Sequence, residues 1–90
     1  MDLIPTKRFR KKAQKLFENK KNLKTKIDEV LFDFQTFGRK SRFWRKKLKG
    51  NLIPLEELEL SGDLRIFIKI SPDQKFAILE NIGTHAQLNI

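Results

Sequence analysis

Near Leu52 the apolar residues change their period, and that change does most to limit what this chain can fold into. Before it, Phe9, Ala13, Leu16 and Phe17 recur at i, i+4, i+7 and i+8. Leu23, Ile27, Val30, Leu31 and Phe34 follow the same spacing, which lines up one face of a helix. After it, Leu58 and Leu60 alternate with Glu57 and Glu59, and Ile66, Ile68 and Ile70 alternate with Arg65, Phe67 and Lys69. That is the two-residue period of strands with one buried face. Local signals set the boundaries. Pro5 stops a short strand at Asp2–Ile4, and Thr6 suits the cap of the first helix. Asn22 suits the cap of the second helix, and Gly38 its end. "SGD" (Ser61–Asp63) and "SPDQK" (Ser71–Lys75) are turns, and "FAILENI" (Phe76–Ile82) is a further strand. Two helices followed by an antiparallel meander make an α+β fold, with the helices covering one sheet face and the other face open.

Ninety residues hold one hydrophobic core, so residues 1–90 are read as a single domain. Apolar residues make up 39% of the chain, including eight Phe, enough for a fold but for a thin core. The absence of cysteine removes disulfide and thiolate chemistry and fits a reducing compartment. With a single histidine as well, no metal site and no cofactor are expected. "MDLIPTKRFRKK" lacks the apolar stretch of a signal peptide. The apolar runs fall far short of the roughly 20 residues of a membrane helix. A cytoplasmic protein is expected.

The net charge of +9 is unevenly placed. Residues 1–49 carry 17 Lys/Arg against 5 Asp/Glu, and residues 50–90 carry 3 against 6. "RKSRFWRKKLK" (Arg39–Lys49) has seven cations and no acid. Such density points to a polyanionic partner, either nucleic acid or a strongly acidic protein. Arg42, Arg45, Lys46, Lys47, Lys49 and Lys69 are the candidate RNA contacts. Phe43 and Trp44, set between arginines, could stack bases or anchor the segment in the core.

Parity puts Arg65, Lys69, Glu57 and Glu59 on the open face, and His85 follows the last strand. Cleavage of RNA without a metal needs three things. A base must take the 2′-hydroxyl proton, a cation must stabilise the phosphorane, and an acid must protonate the leaving 5′-oxygen. Arginine suits the second task, because a guanidinium can fork onto two phosphate oxygens and keeps its charge. Histidine suits the third, since imidazole exchanges protons near neutral pH. Glu57 or Glu59 could be the base, as could a lysine of the basic segment. Each also has a structural reading: Arg65 as cross-strand partner of a glutamate, His85 as part of a hydrogen-bonded turn, the glutamates as solvated strand positions.

"TKRFRKKAQKL", "KLKGNL", "LSGDLRIFIKI" and "IGTHAQL", in that order, resemble the RelE/ParE superfamily of bacterial toxins, in particular its RelE- and YafQ-type mRNA interferase branch. The resemblance spans nearly the whole chain and implies a compact βααβββ fold with a two-helix hairpin on one sheet face. It further implies metal-independent, ribosome-dependent cleavage of messenger RNA through attack of the 2′-hydroxyl. The free toxin would be a monomer, and a cognate acidic antitoxin from an adjacent gene would neutralise it in a hetero-oligomer. In the family's terms Arg65 is the phosphate-binding strand arginine, His85 the C-terminal catalytic position, and Lys46–Lys49 a segment that grips ribosomal RNA or message. Three departures stand out. Asn89 occupies the place of a base-stacking aromatic, Glu56–Glu59 replace strand lysines, and the YafQ-type inner-strand histidines are missing. A ParE-like inhibitor of DNA gyrase and a non-catalytic RNA-binding relative are the alternative readings.

Overall fold

The computed structural model describes residues 1–88. Chain order gives β1 (Asp2–Pro5), α1 (Lys7–Asn19), α2 (Asn22–Phe37), β2 (Trp44–Lys47), β3 (Glu56–Ser61), β4 (Leu64–Ile70), β5 (Phe76–Thr84) and a single helical turn, α3 (His85–Leu88). The strands form one sheet in the order β1-β5-β4-β3-β2. β1 runs parallel to β5, and the other pairs are antiparallel. The α+β class and the helical hairpin agree with the sequence reading. The structure adds one strand, because Trp44–Lys47, read as loop, forms an edge of the sheet. It also makes the sheet mixed, since the N-terminal strand joins it in parallel.

The helices form where the apolar stripes demand them. Phe9 and Ala13 of α1 and Leu23, Ile27, Val30 and Phe34 of α2 are buried against Leu58, Leu60, Ile66, Ile68, Leu79 and Ile82 of the sheet. The Thr6 hydroxyl accepts from the Phe9 N–H at 3.1 Å, so it caps α1 as expected. The same hydroxyl lies 3.0 Å from the Leu79 carbonyl, which ties the helix start to β5. Asn22 does not cap α2: it is the first helical residue, after Lys21, and no side chain caps this end. Gly38 ends α2 with φ of +59°, a conformation that spares glycine a Cβ clash.

One expectation about the open face fails. Phe67, assigned outward, is buried with Leu48 and Leu88, and Leu52 and Leu55 pack against this second small core. The face is therefore partly roofed, by the residues before β3 at one side and by α3 at the other. Arg65 is itself only 13% exposed there, and the His85 side chain is what solvent reaches.

Candidate active site

Strand β3 carries two adjacent glutamates, both only 3% exposed, whose side chains point to opposite faces of the sheet. On the helix side, Glu56 receives two hydrogen bonds from Arg39, at 2.9 and 2.8 Å, and one from the Trp44 indole at 2.9 Å. Both carboxylate oxygens are satisfied, so this is a buried structural pair. Burial pushes the Glu56 carboxyl up. The hydrogen bonds from Arg39 and Trp44, with the charges of Arg39 and Lys47, outweigh that and hold it below the usual carboxylate value. A depressed group contributes stability above its unfolded value of about 4.3 and loses it as the pH falls through the folded value. The denaturation midpoint is therefore expected to hold between about pH 7 and 5 and to drop below that. In Glu56→Gln, part of the drop should disappear; a midpoint that falls equally in both proteins would contradict this account.

On the other face Glu57 is arranged differently. Its Oε1 accepts from Arg65 Nε at 2.7 Å and lies 3.6 Å from His85 Nε2. Its Oε2 is buried and has no hydrogen-bond partner. Leaving a buried carboxylate oxygen unpaired costs free energy that a purely structural pair avoids. The Arg65 guanidinium donates from Nη1 to the Gly62 and Leu64 carbonyls at 2.7 and 3.0 Å, and Nη2 lies 3.8 Å from Glu59 Oε1. The fork expected to be free for phosphate is thus largely occupied, and Nη2 is the donor edge left over. The His85 side chain is 42% exposed, at the mouth of this group. Side chains from β3, β4 and α3 thus converge at Glu57 Oε1, with Arg65 hydrogen-bonded to it and a solvent-touched imidazole just beyond hydrogen-bonding distance.

No family model matches the chain, and no curated protein matches it in sequence. Solved structures do. A metal-bound toxin from Helicobacter pylori superposes with a TM-score of 0.81 at 25% identity, covering 98% of each chain. The YoeB–YefM toxin–antitoxin complex of Staphylococcus aureus, a heterotetramer, matches with a TM-score of 0.76 at 16% identity over 94% of this chain and 97% of that one. YafQ from Escherichia coli matches at 0.67 and 19% identity over 97% and 96%. The chain shares the fold of these toxins.

Around the three-residue centre of this toxin-like fold the cations divide into tied and untied groups. Arg45 holds Glu59 through Nε at 3.1 Å and Nη2 at 3.2 Å, which occupies both Glu59 oxygens. That hydrogen-bonded pairing lowers the Glu59 carboxyl below its ordinary value. The two glutamates that parity could not separate are thereby separated, with Glu57 facing Arg65 and His85, and Glu59 serving Arg45. Arg42 pairs with Glu29 at 2.9 Å and lies over the Phe43 ring. Phe43 is in the core and Trp44 hydrogen-bonds Glu56, so both aromatics anchor the segment. Among the described residues no ion pair involves Lys46, Lys47, Lys49 or Lys69, and all four are exposed. Lys46 sits directly across from Glu57 on β2 and so shares its face. Lys69, four residues along β4 from Arg65, is roughly 13 Å away toward the far end of the strand.

Sequence reasoning missed the pairing of Lys46 with Glu57, since that needs the β2–β3 register. It also left Asn81 aside, which stands across from Phe67 on the same face. Asn89, the departure from the aromatic pattern, lies outside the described residues. Among the described residues no group of three His, Cys, Asp or Glu side chains could hold a metal ion, and no helix is long and apolar enough to cross a membrane.

Proposed function

We propose that this chain is the toxin of a type II toxin–antitoxin system and cuts ribosome-bound messenger RNA in the cytoplasm. The single observation behind this reading is the half-satisfied Glu57 carboxylate, held by Arg65 and facing His85. Glu57 takes the proton of a ribose 2′-hydroxyl, and the resulting oxygen attacks the adjacent phosphorus. A 2′,3′-cyclic phosphate forms as the bond to the 5′-oxygen breaks, and protonated His85 supplies the proton that this oxygen needs. Arg65 Nη2 bears the charge that builds on the phosphorane. The side chains cover each proton and charge task, so the scheme needs no metal. Lys46, Lys47, Lys49 and Lys69, with Arg42 and Arg45 at the rim, grip the backbone of message or ribosomal RNA.

The partner follows from the charge. A surface with this excess of Lys and Arg over residues 1–49 suits an acidic segment of an antitoxin that covers the open face. YoeB of S. aureus is found in a heterotetrameric toxin–antitoxin complex with YefM.

Induction in a bacterium, followed by mapping of message 5′ ends, tests the reading. Cuts at a fixed codon phase are expected, and His85→Gln should suppress them about 10²-fold or more while the chain stays folded. Intact messages together with inhibited gyrase supercoiling would replace this reading with the ParE-like one. Salt-sensitive RNA binding without product would mark a non-catalytic binder.

A further inference from the structure

His85 is the only histidine in the chain, and among the described residues its ring makes no hydrogen bond. What sets its place is therefore the backbone that carries it. That backbone is held by a reciprocal pair: the Thr84 N–H donates to Gln87 Oε1 at 2.9 Å, and the Gln87 N–H donates to Thr84 Oγ1 at 3.2 Å. This is the geometry of a capping box, which satisfies two free donors at the start of a helical turn. His85 is the residue immediately inside the box. Two neighbours make the mount compact. A Cβ at Gly83 would come within 2.8 Å of Gln87 Oε1, so glycine leaves room for the side chain that folds back. Leu88 is buried against Phe67 and Leu48, which pins the far end of the turn to the sheet.

We infer that Thr84 and Gln87 are positioning residues, whose mutual hydrogen bonds hold the His85 imidazole over Glu57. The inference deepens the reading of the site as a nuclease centre and rests on it for the effect on rate. Neither side chain needs to touch the RNA for this role. Misplacement of a reacting group by about 1 Å can cost on the order of 10²-fold in rate. Opening the box should therefore lower kcat rather than raise KM.

The test uses the full chain with Thr84→Ala, Gln87→Ala and Gln87→Glu. Glutamate can still accept from the Thr84 N–H, so it should rebuild the box, whereas alanine cannot. Cleavage of ribosome-bound message is expected to lose roughly 10-fold to 10²-fold in kcat in both alanine variants, with KM unchanged, and to recover in Gln87→Glu. A second readout does not depend on cleavage. The ring-proton resonances of the sole histidine should move when Glu57→Gln is introduced into the wild-type chain, and should no longer respond to it in the Gln87→Ala background. An unchanged response there overturns the positioning role whatever the activity. If the response is lost but the wild-type chain cuts no message, the positioning role stands and the nuclease reading falls. If Gln87→Glu raises KM as Gln87→Ala does, Gln87 contacts RNA directly and the inference is wrong.

Discussion

Glu57→Gln is expected to leave the protein folded and to slow cleavage of message by about 10²- to 10⁴-fold, the usual loss when a general base is removed. Glutamine keeps the shape of the side chain, and its carbonyl can still accept from Arg65 Nε, but it cannot take a proton. The neighbouring Glu59→Gln should change the rate little, because both Glu59 oxygens serve Arg45 at an exposed rim where water screens ion pairs. Single-turnover cleavage by the two variants decides between them. If Glu59→Gln were crippled and Glu57→Gln active, the base would be Glu59, and the unpartnered Oε2 of Glu57 would need another explanation.

The largest effect on stability should come from the opposite face of the same strand. Arg39→Ala removes the bidentate partner of buried Glu56 and leaves its charge with the Trp44 indole alone. Breaking a buried pair from one side costs about 3–5 kcal/mol. The Arg39 side chain is 34% exposed, so the low end of that range applies. In a domain this size, about 3 kcal/mol corresponds to a fall in Tm of roughly 12–24 °C. The double variant Arg39→Met/Glu56→Leu should recover most of it, since two apolar groups leave no charge to strand. Thermal unfolding of the single and double variants checks both halves; a single variant as stable as wild type would show that water solvates Glu56.

These two glutamates also show where reading the sequence stops. Both helices could be read from Phe9, Ala13, Leu23, Ile27, Val30 and Phe34, because a stripe at helical spacing has few other uses. The strands around Ile66 and Ile68 were legible for the same reason. Trp44–Lys47 was not: lysines guard an exposed sheet edge by interrupting the alternation that would reveal it. Parity grouped Glu57 with Glu59 and placed Phe67 outside. It could not tell which arginine each glutamate would meet, or that Leu88 would cover Phe67, because both depend on register and on residues distant in sequence. His85 and Arg65 were nominated by chemistry, but only the path of the last helical turn brings the imidazole to Glu57.

The parallel pairing of β1 with β5 bears on how the protein is made. Asp2–Pro5 has no place in the sheet until residues 76–79 exist, and Thr6 waits for the carbonyl of Leu79. During synthesis Asp2–Pro5 is thus made before the strand it pairs with and settles after it. A nascent chain that already displays its cationic helices still lacks the strand that seats them and the imidazole that directly follows it. By that order of events, His85 comes to face Glu57 only once β5 has taken its place beside β4.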